Sequence, residues 1–250
     1  MIGIVGGVGP YAGLDLLKKV FDSTVANSDQ EHLETILLSL PGQINDRTEY
    51  LEGRVKENPA IAISEIILRL HDSGATVAGI PCNTAHSKKI FDKITALLEA
   101  QNSTVKLLNM IEETILFISE YHSTISRIGV LSTTGTYNSK VYELPLKERG
   151  YTVVTPTRKM QDELIHPAIY HPVYGIKTVT NPISQTAIDN LLEGVAYLKK
   201  EGAELIILGC TEIPLAFPGK EIDGVATIDP TLILARALIH NFNPGKLKPF

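Results

Sequence analysis

The 250-residue chain contains only two cysteines, Cys82 and Cys210. They are too few and too far apart for the disulfide framework of a small secreted domain, and in a reducing compartment they read as thiols. Basic clusters are also missing. With a net charge of −5 and no Lys/Arg-rich stretch, the chain has no basic face for nucleic acid or an anionic membrane. No apolar run approaches membrane-spanning length, and Met1-Ile2-Gly3-Ile4-Val5 leads straight into a core-like strand with no basic leader. The expected location is cytoplasmic and the expected partner a small molecule, with no nucleic acid and no membrane. Familiar catalytic spacings are absent as well. Cys82, His86, Cys210, His166 and His171 supply metal-ligating atoms but fit neither C-x-x-C nor H-E-x-x-H, so no metal is expected. There is no G-x-S-x-G elbow. Gly7-x-Gly9-x-x-x-Gly13 departs from the G-x-G-x-x-G dinucleotide fingerprint, and the next strand, 35–40, ends in no acidic residue for a ribose, which argues against a nicotinamide site.

What the chain does have is a regular alternation of short apolar runs and helical patterns, with 44% hydrophobic residues to build a large core. The first unit is Ile2-Gly3-Ile4-Val5, then Gly6-Gly7-Val8-Gly9-Pro10, then a helix. A polar turn, Pro41 to Thr48, follows the second strand and puts Arg47 on a loop at a strand's carboxyl end, the edge where open α/β sheets bind ligands. There it reads either as an anion-binding group or as a solvated loop charge. Asn58 and Pro59 open the next helix, which returns to the apolar run 75–79. Helices over 86–98 and 111–121 follow, with a strand over 105–108 between them. Further on, a helix is expected over 139–149, a strand over 151–155 and a helix over 182–199. Residues 166–177 between the last two read as a long irregular segment and a candidate lid.

The chain is organised around Ile80-Pro81-Cys82-Asn83-Thr84-Ala85-His86, where a strand hands over to a helix. The arrangement recurs in Leu208-Gly209-Cys210-Thr211-Glu212, at an offset of 210 − 82 = 128 residues. Ile128-Gly129-Val130-Leu131 likewise repeats Ile2-Gly3-Ile4-Val5, at 128 − 2 = 126. Two motifs at nearly one offset indicate internal duplication. The expected fold is therefore α/β, with two pseudo-symmetric doubly wound domains of mainly parallel strands and the active site at their interface. The expected domains are 1–110 plus 223–250, and 111–222.

Helix starts carry unpaired N–H groups and partial positive charge, so they favour anions and lower thiol pKa values. Two thiols on opposite faces of a carbon acid can exchange its proton, one abstracting as thiolate while the other donates as thiol, which is two-base racemisation. Cysteine suits this because its ordinary pKa, about 8.5, needs only modest lowering to be poised near the operating pH. Asn83, Thr84 and Thr211, just past the thiols, offer donors for a carboxylate. Taken singly, each cysteine also reads as a small buried apolar residue ending a strand. A Cys-His hydrolase built on Cys82 and His86 would leave Cys210 unexplained.

These residues resemble the aspartate/glutamate racemase family, which uses no pyridoxal phosphate, over nearly the whole chain. Ile4 to Pro10 is similar to its opening glycine loop, Pro81 to His86 to its first cysteine motif, and Gly209 to Leu215 to its second. The resemblance implies Cys82 and Cys210 as the two bases and no cofactor. It also implies Gly7, Gly9, Arg47, Asn83, Thr84, Thr133, Thr136, Lys177 and Thr211 as substrate-binding positions. Arg47 and Lys177 would bind a distal carboxylate, with His86 and Glu212 in support. Glu212 and His86 favour the aspartate branch over the glutamate racemases of cell-wall synthesis. Val8 and Asn45 stand where methionine and proline are common, which bears on loop geometry and substrate breadth. The implied activity is interconversion of L- and D-aspartate, extending to glutamate, by an expected homodimer. The alternatives are a relative such as a hydantoin racemase, maleate isomerase or arylmalonate decarboxylase, or a non-catalytic two-lobed small-acid binding protein.

Overall fold

The computed structural model describes Met1–Phe250. The chain divides into two compact units, Met1–Thr114 with Thr231–Phe250, and Ile115–Pro230. The first unit holds a four-stranded sheet of β1 (Ile2–Gly6), β2 (Thr35–Ser39), β3 (Val77–Gly79) and β4 (Lys106–Leu107) in the order β2-β1-β3-β4. All its pairings are parallel. The second holds β5 (Arg127–Ser132), β6 (Thr152–Val154), β7 (Leu205–Gly209), β8 (Glu221–Ile222) and β9 (Val225–Ile228) in the order β6-β5-β7-β9-β8. Only β8 runs antiparallel. This is the expected α/β class with mainly parallel sheets.

Parallel strands need crossovers, and the crossovers supply helices for both faces of the first sheet. Ile2 and Ile4 of β1 are buried with Leu16 and Val20 of the helix Pro10–Asp22 and Leu234 and Leu238 of the helix Pro230–Phe242. Val5 is buried instead with Ile63, Ile66 and Ile67 of the helix Ala60–Asp72 and Ile90 and Ile94 of the helix Lys88–Ala100. The period-2 alternation of strand side chains thus sorts one apolar run into two cores. In the second unit, Leu191, Val195 and Leu198 of the helix Gln185–Lys200 are buried with Ile206 and Leu208 of β7.

Internal duplication is visible in one contact. A Cβ placed on Gly3 would lie 3.0 Å from the Ala75 Cβ and 3.3 Å from Leu70 Cδ1. A Cβ on Gly129 would lie 3.1 Å from the Ala203 Cβ and 3.2 Å from Leu198 Cδ1. Both glycines therefore let the returning helix end close against the first strand of its unit.

Three expectations change. Residues 223–228 do not belong with the first unit, because β9 pairs in parallel with β7 and β8 folds back on β9. The Asp223-Gly224 turn between them has φ of 50° and 73°, the two-residue hairpin geometry that this dipeptide favours. The return to the first unit comes at Thr231. The helix expected over 139–149 is two short helices, Thr134–Ser139 and Glu143–Glu148, separated at Lys140, whose φ is 54°. The segment read as an irregular lid opens as ordered helix through Tyr170, and its remainder, 171–177, runs through turns. Arg158–Met160, a π-turn at Gln161–Ile165 and His166–Tyr170 follow one another without a gap. The wider π-turn just ahead of Pro167 accommodates a proline that would otherwise break the helix.

Candidate active site

In the first unit the carboxyl ends of β1, β2 and β3 lie at one sheet edge, since the three strands are parallel. Gly7 leaves β1 with φ of 84°, and a Cβ there would meet the Pro41 nitrogen at 2.7 Å, so the loop needs glycine to close on its neighbour. Gly9, with φ of 130°, hands over to Pro10 at the first turn of the helix. Arg47 is not a solvated loop charge. It opens the short helix Arg47–Leu51, whose Asp46 cap accepts from the Thr48 and Glu49 amides at 2.8 and 3.0 Å, and it is only 7% exposed. Its Nη2 donates to the Val8 carbonyl at 2.8 Å and its Nη1 to the Asn45 carbonyl at 3.3 Å. A buried cation is thereby fixed between the loops that follow β1 and β2.

Cys82 lies three residues beyond β3. Its amide donates to the Ile80 carbonyl at 2.8 Å across Pro81, and its extended backbone opens a four-residue 3₁₀ turn, Asn83–His86. Asn83, Thr84 and His86 in that turn are buried, as is Cys82. The Cys82 carbonyl accepts from the Ala85 amide at 3.2 Å and lies 2.8 Å from His86 Nδ1. Because a carbonyl only accepts, Nδ1 carries the proton. Burial pushes the His86 pKa down to about 4, with the Cys82 carbonyl opposing the shift only in part. His86 is thus a neutral strut that holds the Cys82 backbone, stacked on Phe91 at 5.0 Å.

In the second unit Thr133 follows β5 and caps the helix Thr134–Ser139, accepting from the Thr136 amide at 3.3 Å and donating to Thr136 Oγ1 at 3.1 Å. Cys210 directly follows β7, the neighbour of β5. Its Sγ donates to Glu212 Oε2 at 3.1 Å, and Thr211 Oγ1 donates to the same oxygen at 3.1 Å. Glu212 Oε1 accepts from Lys177 Nζ at 2.5 Å. Burial alone would raise the Glu212 carboxyl. The Lys177 charge and the hydrogen bonds from Lys177, Cys210 and Thr211 reverse that, so the group is ionised. The Cys210 thiol is pushed well up by burial first and by the Glu212 charge second, against an opposing effect of Lys177. The expected lowering by a helix start does not occur at Cys210, because the helix after it begins only at Ile213 and has four residues, while a carboxylate stands beside the sulfur. Both cysteines are free thiols.

Sequence reasoning passed over the support behind Lys177. Its Nζ sits 5.5 Å from the centre of the Tyr170 ring, and Tyr170 stacks on His166 at 4.9 Å. His166 Nδ1 is 3.0 Å from Thr134 Oγ1. The fully buried Gln161 donates to the Ser132 carbonyl at 3.1 Å and to Thr134 at 3.3 Å. The signal for this support was the Tyr/His-rich run 166–174, which read as a loop. No three His, Cys, Asp or Glu side chains lie together as a metal-binding group, and no helix is long and apolar enough to cross a membrane.

The sequence profile of the Asp/Glu/hydantoin racemase family matches residues 5–238. The chain belongs to this family. Membership makes amino-acid racemisation its activity class. The broad specificity amino-acid racemase RacX of Bacillus subtilis is 25% identical over 249 residues, 97% of this chain and 98% of that protein. The aspartate racemase of Picrophilus torridus superposes with a TM-score of 0.80 at 27% identity, over 99% of this chain and 95% of that one. The glutamate racemase of Francisella tularensis, solved with D-glutamate, shares the fold at a TM-score of 0.68 and 18% identity, over 99% of this chain and 83% of that one. In a member of this racemase family, the residues at both carboxyl edges are the natural place to look for substrate contacts.

Proposed function

We propose that the protein interconverts L- and D-aspartate without a cofactor, Cys82 and Cys210 acting as the two bases. The α-hydrogen of an amino acid is removed by one thiolate on one face while the other thiol delivers a proton to the opposite face. The duplicated placement of the thiols carries this reading: each unit presents one cysteine just beyond the carboxyl end of a central parallel strand. Arg47 supports an acidic substrate, since a guanidinium already fixed through Val8 and Asn45 is pre-organised for a carboxylate. The glycine loop at Gly7 and Gly9 brings backbone close to the ligand, and Asn83, Thr84, Thr133, Thr136 and Thr211 hold its ammonium and carboxylate groups. Lys177 takes the distal carboxylate together with Arg47. The enzyme works in the cytoplasm as a homodimer in amino-acid metabolism, where it supplies a D-amino acid.

A broader substrate range has its own support. The RacX relative, matched along nearly its whole length, is named for broad specificity, and the Lys177 charge is already matched by Glu212, which weakens the demand for a second acidic group. Incubation with L-Asp, D-Asp, L-Glu and L-Ala in D₂O, followed by NMR of the α-proton and chiral analysis, tests both readings. Aspartate should exchange and racemise fastest, with glutamate second. Equal rates for alanine would favour the broad reading, and no exchange with any substrate would overturn both.

A further inference from the structure

Lys177, Glu212 and Cys210 form one connected chain of contacts within the second unit. Glu212 spends one carboxylate oxygen on Lys177 and the other on the Cys210 thiol and the Thr211 hydroxyl. Glu212 is 3% exposed and Cys210 3% exposed, so the charges act through a poorly screened medium. A carboxylate accepts hydrogen bonds and cannot give one. The contact between Cys210 and Glu212 therefore exists only while the sulfur keeps its proton. Were that proton lost, a thiolate would stand 3.1 Å from a carboxylate oxygen, with Lys177 the countercharge to both.

We propose that Glu212 and Lys177 are positioning residues that set the protonation of Cys210: Glu212 holds the thiol in its proton-loaded form, and Lys177 makes the thiolate attainable during turnover. The inference rests on Cys210 being a base of the reaction proposed above. Cys210 then enters the first half of the cycle as the acid partner and Cys82 as the base. As the substrate α-C–H bond breaks toward Cys82, the Cys210 S–H bond breaks, a C–H bond forms on the opposite face, and the S–H electron pair stays on the Cys210 sulfur. The thiolate left beside Glu212 is a strong base, which drives the return step. Lys177 consequently has two tasks, since a substrate carboxylate that engages it must share it with Glu212. Tyr170, beneath the ammonium, keeps Lys177 in reach of Glu212 when the charge is shared.

The Cys82→Ser variant leaves Cys210 as the only thiol, so the ultraviolet absorbance of its thiolate can be followed against pH without turnover. Glu212 and Lys177 are the charged groups that bear on this sulfur. Adding Glu212→Gln, which keeps the shape and removes the charge, should lower the titration midpoint by about one pH unit or more. Adding Lys177→Met instead should raise it. A merely structural role for either residue would not move the midpoint in opposite directions. A midpoint that stays put or rises with Glu212→Gln overturns the proposal, and if that variant does not fold, a midpoint that falls with Lys177→Met does so independently. In the otherwise unmodified enzyme, Glu212→Gln should lower kcat at least tenfold for both enantiomers with KM changed less, and an unchanged kcat would also overturn it. The expected titration shifts in a protein that racemises no amino acid would instead overturn the two-base reading.

Discussion

The Arg47 guanidinium donates through Nη2 to the carbonyl of Val8, 39 positions earlier in the chain, at 2.8 Å. This contact locks the loop after β2 onto the loop after β1. A lysine could not reproduce it, because the two donors that reach Val8 and Asn45 come from one planar group. With Arg47 holding the distal carboxylate as proposed, Arg47→Ala should cost a few kcal/mol of transition-state binding for aspartate. Activity on alanine, which has no distal carboxylate, should fall far less. Steady-state kinetics on both substrates check this, and equal losses would make Arg47 a structural residue.

His86 makes folding stability depend on pH in a defined window. Its folded pKa is lowered by burial to about 4, from an ordinary value of 6.5. Between these values the unfolded chain binds a proton that the folded chain refuses, so stability is full above the unfolded value and is lost as pH falls toward 4. A shift of this size is worth about 3 kcal/mol. Urea unfolding at several pH values should show the loss, and His86→Asn, which keeps a donor for the Cys82 carbonyl, should flatten that part of the profile. An unchanged profile would place the proton elsewhere.

Gly129 should tolerate no side chain. A Cβ there would approach Ala203, Ile206 and Leu198 within 3.1 to 3.2 Å, and the two further methyls of valine must displace a packed helix end. Gly129→Val should destabilise by about 1–3 kcal/mol through overpacking. Gly3→Val, at the duplicated contact with Ala75, should behave alike. Thermal or denaturant unfolding measures both, and a neutral Gly129→Val would mean that the helix end can shift freely.

Much of this architecture was legible because the signals are local. Short apolar runs such as Ile2–Gly6 and Leu205–Gly209, each followed by glycine or cysteine and then a helical pattern, give the alternation directly, and the nearly equal offsets of the Gly3 and Cys82 motifs give the duplication. What was hidden depends on distant partners. Nothing local to Pro41–Thr48 says that Arg47 is buried, since that depends on Val8. The Lys177–Glu212 pair joins residues 35 apart, and spacing offers no hint of it. The stretch 166–177 read as one irregular segment, whereas a π-turn lets the helix run through Pro167 and end at Tyr170, before Pro172. The Asp223-Gly224 dipeptide was a readable hairpin signal that would have placed β9 in the second unit.

The two cysteines should fail in different ways when each is replaced. Serine keeps the shape but its hydroxyl ionises far less readily than a thiol, so Cys82→Ser and Cys210→Ser should each nearly abolish racemisation. A thousandfold loss corresponds to about 4 kcal/mol of barrier. On the proposed two-base mechanism each variant nevertheless retains one base, able to wash the α-hydrogen out of a single enantiomer in D₂O. Cys82→Ser and Cys210→Ser should therefore exchange opposite hands. The residual rates should also differ: Cys210 stands beside the Glu212 carboxylate and rests protonated, so the variant that relies on it needs higher pH to reach the same exchange rate. Deuterium incorporation into separated L- and D-aspartate, followed by NMR across a pH series, reads hand and midpoint together. Exchange of the same enantiomer by both variants, or wild-type racemisation by either, would remove the second base and point to a one-base reaction on this scaffold.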